Sequence, residues 1–308
     1  MSSISIADID EIEEPSTIPN VDRVITLSLG EALNRTNASA LQRKRISRMI
    51  GIIGPADAGK SSLMASIYDI FQTGPFADLE FAGSSTLIGF EKVCHDARVA
   101  SRRDAPHMER TSAGAEATFF HLDLQSIDSN VVSLFISDRS GEDYLAAADD
   151  LSRADEFFEL RRADVVTLLV NGEHLTLSEH RHEVKAITPQ IVDALVEAGS
   201  FRRGCRLAAV LTKQDSVLAS PRADRVQREF DSIVNAIVER HGSHFSNIER
   251  FLIAASPKDS TKVKRGEGVD QLLQFWLRAT PFPSSIRPPL SDSTRMIDLL
   301  DNYREEGE

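Results

Sequence analysis

The chain has 308 residues and a formal net charge of -12, and this length suits one large α/β domain with extensions better than two modest domains. The acidic balance argues against nucleic acid or an anionic membrane surface as the main partner, because both attract a basic face. No apolar run approaches the roughly 20 residues that a membrane-spanning helix requires, and the acidic N-terminus lacks the basic start and apolar core of a signal peptide, so a cytoplasmic protein without a membrane span is expected.

Three regions are predicted in chain order. Residues 1–45 contain an acidic tail and then a short helical extension. Residues 46–280 form the main domain, with an insertion around residues 73–115. Residues 281–308 are predicted to be a proline-rich linker followed by a short amphipathic helix, and both ends of the chain are candidates for contacts with partner proteins.

Six apolar runs in the main domain predict β-strands. Four of the six are nearly continuous, as expected of strands that helices cover on both faces. Amphipathic segments lie between the runs, and this alternation predicts a mostly parallel sheet of about six strands with helices on both faces. A tight polar link joins the second and third runs and predicts an antiparallel hairpin, which gives the sheet one antiparallel edge strand. The six runs are residues 48–53, 117–124, 131–137, 164–170, 206–212 and 251–256.

The segment GPADAGKSS lies directly after the first predicted strand and before an amphipathic segment. The spacing of its glycines, lysine and serine is that of a P-loop. The glycines allow the backbone to curl, so that several N–H groups face a β-phosphate at the positive end of the following helix. Lys60 would reach the β- and γ-phosphates, and the Ser61 hydroxyl would bind Mg²⁺. The predicted fold is therefore an α/β P-loop NTPase, with phosphate contacts from Gly54, Asp57, Ala58, Gly59, Lys60, Ser61 and Ser62.

A second motif, DRSGED, follows the third predicted strand. Asp138 lies at the end of that strand, where its carboxylate is suited to hold Mg²⁺ through water. The N–H of Gly141, three residues later, is suited to contact a γ-phosphate. The position of this turn, after a buried strand and downstream of a P-loop, predicts a phosphate-sensing loop.

Two later motifs indicate which base is bound. In TKQD, the Asp215 carboxylate is suited to accept hydrogen bonds from the guanine N1–H and 2-amino group, a pattern that adenine cannot supply, and the Lys213 stem would pack over the ring plane. In ASPK, the backbone would contact the guanine oxygen. Ligands bind at the carboxyl ends of strands in such sheets, so the motifs predict one GTP/GDP site. Its base side consists of Thr212, Lys213, Asp215, Ser256, Pro257 and Lys258.

The segments GPADAGKSS, DRSG, TKQD and ASPK resemble the successive guanine-nucleotide motifs of the Ras-like, translation-factor-related (TRAFAC-class) P-loop GTPases, over roughly residues 46–280. The segments FAGSSTLIGFE and ERTS also resemble the double-GTPase group of bacterial conflict and defence gene clusters, where a GTPase works with partner proteins. The resemblance implies GTP hydrolysis with Mg²⁺. It also implies a protein effector or activator, either a second GTPase or a second copy of this chain.

In that family the interval that corresponds to residues 73–115 holds the first switch. Its Mg²⁺-binding threonine should immediately precede the hairpin, which favours Thr111, with Thr86 as the alternative. Arg110 suggests an arginine supplied in cis to the transition state. Glu142 stands where many relatives carry a glutamine that orients the attacking water. Its negative charge near a γ-phosphate predicts slow hydrolysis unless a partner or dimerisation compensates.

The predicted function is a GTP-binding and GTP-hydrolysing molecular switch. A GTP-loaded scaffold with negligible turnover is the alternative, which the glutamate at position 142 keeps open. A small-molecule or nucleoside kinase with the same P-loop is disfavoured, because it gives no reason for TKQD. The predicted metal ligands are Ser61, Thr111 and Asp138, and the predicted catalytic residues are Lys60, Arg110, Thr111, Gly141 and Glu142.

Overall fold

A sheet of seven strands lies at the centre of the computed structural model, which describes residues 30–101, 114–126, 130–258 and 262–279. The strands are β1 (Ser47–Ile53), β2 (Leu79–Gly83), β3 (Thr118–Ser126), β4 (Val132–Asp138), β5 (Val165–Asn171), β6 (Arg206–Thr212) and β7 (Asn247–Leu252). Their order across the sheet is β2-β3-β4-β1-β5-β6-β7. All neighbouring pairs are parallel except those that involve β3, which runs antiparallel to both β2 and β4.

Helices connect most of these strands, as expected of an α/β chain. None of the helices in the described parts of the chain is both long and apolar enough to cross a bilayer. Two short 3₁₀ turns also occur, at Leu151–Glu156 and Gly242–His244. The helices are α1 (Arg35–Gln42), α2 (Lys60–Gln72), α3 (Leu87–Ser101), α4 (Gly141–Asp149), α5 (Phe158–Arg161), α6 (Gly172–Thr176), α7 (Ser178–Glu197), α8 (Gln214–Leu218), α9 (Ala223–His241) and α10 (Val269–Leu277).

Alternate side chains of the central strands enter two hydrophobic cores, one on each face of the sheet. In β1, Ile50 and Ile52 pack in the core that contains α2, α3 and α10. Met49 and Ile53 pack in the opposite core, with residues of α4, α7 and α9. Because helices cover both faces, the carboxyl-terminal edge of the parallel strands is left to the loops and to the first turns of the helices that follow them.

The edge of the sheet differs from the predicted one. The expected antiparallel pairing of β3 with β4 is present, but β3 also pairs with β2, and β2 is the true edge strand. β2 and α3 both lie in the segment around residues 73–115 that was predicted as an insertion. Most side chains of β2 are exposed, so the strand has little apolar pattern by which to detect it.

The last strand lies four residues earlier than predicted, at Asn247–Leu252 instead of residues 251–256. β7 is an edge strand with several exposed side chains, so its first residues are polar. Ile253 and Ala254 are buried and follow the strand, and Ala254 forms an isolated antiparallel bridge with Glu267. The end of the apolar run therefore lies beyond the last residue of β7.

The N-terminal extension packs on the sheet over its described residues. Leu33 forms an antiparallel bridge with Phe119 of β3, and Ala38 of α1 is buried in the same core as Met49. The predicted acidic tail and C-terminal helix lie outside the described residues. The boundaries of the three predicted regions stay predictions.

Candidate functional site

The P-loop joins β1 to α2 through backbone that only some residues can adopt. Gly54 has φ 150° and Gly59 has φ 97°, both in the region that favours glycine. A Cβ atom at Gly54 would lie 2.9 Å from the carbonyl oxygen of Leu169 in β5, so a side chain there would also collide with the sheet. Asp57 has φ 60°, a conformation that aspartate tolerates better than most residues. The sequence thus forms a tight loop at the N-terminus of α2.

Two side chains from neighbouring strands hold this loop. The Thr212 hydroxyl at the end of β6 donates to the carbonyl oxygen of Ala58 at 2.9 Å, and the Asn171 amide at the end of β5 donates to that of Asp57 at 2.9 Å. Both bonds fix loop carbonyls, so the loop N–H groups keep their orientation. Asn171 was not among the predicted site residues, although its place at a strand end could have drawn attention to it.

Lys60 lies over the loop at the start of α2. Its ammonium donates to the carbonyl oxygens of Gly54 at 2.9 Å and Pro55 at 3.0 Å. Burial lowers the pKa of Lys60 to about 8, against the opposing charges of Asp138 and Asp57. The ammonium is therefore close to both carboxylates, in the position from which a lysine can neutralise phosphate oxygens.

Ser61 and Ser62 occupy the first turn of α2 and are half-buried, and Asp138 ends β4. A serine hydroxyl and a carboxylate are hard oxygen ligands, which suit Mg²⁺. No group of three or more histidine, cysteine or acidic side chains that could hold a metal occurs in the part of the chain that the structure describes. The residues present fit a Mg²⁺ ion held by few protein ligands and by nucleotide phosphates, a mode that this ion often adopts.

Gly141 packs directly against the P-loop. A Cβ atom at this position would lie 2.5 Å from the backbone nitrogen of Ala56 and 2.7 Å from the ammonium nitrogen of Lys60. Gly141 begins α4, and the Ser140 side chain caps this helix by accepting a bond from the N–H of Glu142 at 3.3 Å. Glu142 is exposed on the first turn. The DRSGED turn and the P-loop therefore form one surface.

The residues of the predicted base side also meet. Lys213 has the left-handed conformation with φ 54° and precedes α8. The Asp215 carboxylate accepts a hydrogen bond at 3.0 Å from the backbone N–H of Lys258, which follows Ser256 and Pro257 in the turn after β7. Glu173, a residue that the sequence analysis missed, accepts bonds from the ammonium groups of both Lys213 and Lys258.

A buried ionic network lies behind the DRSGED turn. The Arg139 guanidinium, 2% exposed, donates to the Glu159 carboxylate at 2.7 Å. Burial raises the pKa of Glu159, although the hydrogen bond and charge of Arg139 oppose this rise. Burial would lower the pKa of Arg139, but the hydrogen bond and charge of Glu159 raise it overall. Arg139 also donates to the carbonyl oxygen of Ala115, and Asp143 accepts from the N–H of Gly114 at 2.8 Å. The network thus reaches the chain that leads into β3.

A protein-family model decides the class of the chain. The model Double-GTPase 2 matches residues 48–277. The chain belongs to this family. It is therefore a TRAFAC-class P-loop GTPase that binds and hydrolyses GTP, and the predicted class and enzymatic activity are confirmed. No curated protein matches the chain significantly.

Solved structures similar to this GTPase have low sequence identity. The signal recognition particle receptor SRb-GTP/SRX complex from Chaetomium thermophilum has a TM-score of 0.41 and 15% identity, over 75% of this chain and 95% of that one. The S. cerevisiae Ski7 GTPase-like domain bound to GDP and inorganic phosphate has a TM-score of 0.42 and 12% identity, over 70% and 45%. Sup35 complexed with GDP has a TM-score of 0.38 and 15% identity, over 74% and 44%. The matched region thus spans less than half of the Ski7 and Sup35 chains.

The predicted site residues of this GTPase fall into three groups. Those of the P-loop, the DRSGED turn and the two base motifs meet at one edge of the sheet, as described above. Thr86, the alternative switch threonine, is fully buried, and its hydroxyl accepts a bond at 2.9 Å from the N–H of His121 in β3. Thr111 and Arg110 lie outside the described residues.

Proposed function

We propose that this GTPase is a molecular switch that hydrolyses GTP slowly alone and faster with a protein partner. The proposal rests on the meeting of four motif segments at one edge of the sheet. Gly141 packs on the P-loop there, Thr212 bonds to Ala58 within it, and Asp215 bonds to the chain after β7. A nucleotide that contacts all four segments would link its phosphates and its base to the same part of the fold.

In this proposal the P-loop holds the phosphates. Lys60 would neutralise β- and γ-phosphate oxygens, together with the N–H groups at the start of α2. Ser61, Asp138 and Thr111 would hold Mg²⁺, which when bound withdraws charge from the phosphate oxygens. The buried Thr86 hydroxyl is already engaged by the N–H of His121 in β3, which favours Thr111 over Thr86 as the Mg²⁺ ligand.

The base side would select guanine. The Asp215 carboxylate would accept bonds from N1–H and the 2-amino group, and the Lys213 stem would cover the ring. The backbone of the ASPK segment would contact the guanine oxygen. The bond from the N–H of Lys258 to Asp215 supports this arrangement, because it fixes one carboxylate oxygen and leaves further lone pairs for the base.

Hydrolysis would proceed by in-line attack of a water on the γ-phosphorus. Glu142 would orient this water, and the N–H of Gly141 would contact the γ-phosphate. The carboxylate of Glu142 repels the phosphate, so we expect slow turnover until a cation compensates. Arg110 in cis, or a residue from an activator, would supply that cation.

The γ-phosphate would order the loops at residues 105–115 and 138–150, and its loss would release them and change the surface that partners bind. The partner would be an effector or activator, either a second GTPase or a second copy of this chain. The family resemblance supports a cytoplasmic setting in a bacterial defence system.

Titration calorimetry tests the binding site. Wild type and Asp215→Asn are titrated in Mg²⁺ with GTP, GDP, a non-hydrolysable GTP analogue, XTP and ATP. We expect wild type to prefer guanine nucleotides by at least tenfold over ATP, and Asp215→Asn to shift the preference toward xanthine, whose 2-oxo group pairs with the asparagine amide. Equal binding of ATP by wild type would contradict the proposed base site.

Phosphate release tests the switch. Dilute wild-type protein should release phosphate slowly, and Glu142→Gln should change the rate, since glutamine orients a water without the negative charge. Fast turnover by dilute monomer that Glu142→Gln leaves unchanged would contradict the proposed regulation. Tight GTP binding without phosphate release, both at high protein concentration and with a candidate partner added, would instead indicate a scaffold.

A further inference from the structure

A closed ring of contacts joins three loops on the base side of the site. The Glu173 carboxylate accepts a bond from the Lys213 ammonium at 3.0 Å on one oxygen and from the Lys258 ammonium on the other. The backbone N–H of Lys258 in turn donates to Asp215 at 3.0 Å. Asp215 lies two residues after Lys213 on the same loop, so the ring closes through the backbone.

Local structure after β5 brings Glu173 to this position. Asn171 caps α6 by accepting a bond from the N–H of His174 at 3.1 Å. A Cβ atom at Gly172 would lie 2.4 Å from the carbonyl oxygen of Thr212, so only glycine permits α6 to approach the TKQD loop this closely. Glu173 follows and faces the two lysines because of that approach.

Glu173 carries the negative charge that its contacts with the two lysines require. Burial alone would raise its pKa, but hydrogen bonds from Lys258 and Lys213 and the charges of these lysines lower it overall. The carboxylate is therefore ionised at neutral pH. It is 28% exposed, and its contacts with lysine are partly screened by solvent.

We infer that Glu173 is a positioning residue for guanine recognition, and the inference rests on the proposed role of Lys213 and Asp215. A lysine side chain loses much rotamer entropy when it is fixed. Glu173 already fixes the Lys213 ammonium before the nucleotide binds, so less rotamer entropy is lost on binding. Through Lys258, the same carboxylate fixes the turn whose N–H orients Asp215.

A glutamine in place of Glu173 tests this inference with little change of shape. Glutamine keeps one acceptor oxygen but loses the charge and the second acceptor. We expect fluorescently labelled GDP to dissociate about three- to tenfold faster from Glu173→Gln than from wild type, the range for two partly exposed charged bonds. The rates are measured by chase with excess unlabelled GDP. The control is Glu239→Gln, which removes an exposed carboxylate on α9 and should leave the rate unchanged.

Salt and a double-mutant cycle separate positioning from a general effect on folding. The difference between wild type and Glu173→Gln should shrink when the salt concentration rises from about 0.05 to about 0.5 M, because an ion pair is screened. Lys258→Gln should also speed dissociation. The double variant should be no faster than the faster single variant, since both changes open the same ring. Multiplicative effects, or a salt-independent difference, would overturn the inference.

The inference and the proposed function fail in different ways. If wild type binds guanine nucleotides selectively but Glu173→Gln releases GDP at the wild-type rate, the positioning role is wrong and the guanine site stands. If wild type shows no preference for guanine over adenine nucleotides, the proposed site itself is wrong. Thermal unfolding of each variant without nucleotide shows whether a faster rate comes from a damaged fold.

Discussion

The contacts that hold the base side and the switch side of the site differ in burial. On the base side, Thr212, Asn171 and Asp215 each bond one side chain to a backbone group of a neighbouring loop. Glu173 adds partly exposed ion pairs with two lysines on the same side. On the switch side, Arg139 and Glu159 form an ion pair in which both side chains are almost fully buried. Partly exposed pairs are screened by solvent, whereas a buried pair is stable only when both charges are present.

Each side also contains a buried polar atom without a hydrogen-bond partner among the described residues, the Tyr144 hydroxyl on the switch side and the Gln214 Oε1 atom on the base side. The two sides therefore differ mainly in the buried ion pair, because removing one partner of a buried pair costs more than removing a partly exposed contact. Variants should reveal this difference, and they are taken from the largest expected effect to the smallest.

Gly141→Ala should have the largest effect. The added methyl group would lie 2.5 Å from the nitrogen of Ala56, closer than real Cβ contacts, so α4 or the P-loop must shift. A displacement of about 1 Å in a catalytic site can cost about 100-fold in rate, and we expect a loss of this size in kcat/KM for GTP. Gly242→Ala is the matched control, because its methyl group meets nothing closer than 3.7 Å. A Gly141→Ala enzyme within threefold of wild type would show that the two loops do not depend on close packing.

Glu159→Gln should have an effect of comparable size, on stability rather than on catalysis. It leaves the buried Arg139 without a full countercharge, and the loss of one partner of a buried pair costs about 3 kcal/mol in the free energy of unfolding. Chemical denaturation measures this change. Glu249→Gln removes the partner of the more exposed Arg278 and should cost less than about 1 kcal/mol.

A double variant sharpens the same test. Arg139→Met with Glu159→Leu replaces both charges by apolar groups and should recover much of the lost stability, because neither charge is then left alone in the interior. A double variant as unstable as Glu159→Gln would contradict the claim that the unpaired charge causes the loss. Equal losses for Glu159→Gln and Glu249→Gln would remove the contrast between the two kinds of contact.

The sequence predicted the motif residues that the structure brings together at one sheet edge, but not the residues that bond to the motif loops. Phosphate and guanine require particular residues at fixed spacings, so Gly54, Lys60 and Asp215 could be recognised one motif at a time. Asn171 and Glu173 contact loops that come together only when β5 and β6 pair. The position of Asn171 at a strand end gives a weak local signal, and the sequence around Glu173 gives none. β2 was missed for a related reason, because an exposed edge strand lacks the apolar run that marks a buried one.

The smallest expected effect concerns Lys60, where the two sides meet. Burial lowers the pKa of Lys60 to about 8, although Asp138 on the switch side and Asp57 in the P-loop both raise it. Bound phosphates would favour the ammonium, so binding takes up a proton and affinity falls as pH rises through about 8. From pH 7.5 to about 8.5, the protonated fraction of a group with this pKa falls about threefold, and we expect GDP affinity to fall by the same factor.

Titration calorimetry in two buffers with different ionisation enthalpies measures this proton uptake directly. The chosen pH range avoids the titration of the nucleotide phosphates below it and of guanine N1 above it. Lys60→Arg is the control, because arginine stays charged throughout the range, and its affinity should be weaker than that of wild type but independent of pH. A pH-independent wild type would mean that Asp138 and Asp57 hold the ammonium charged despite its burial. The P-loop lysine would then be coupled electrostatically to the switch side, through Asp138, before any phosphate binds.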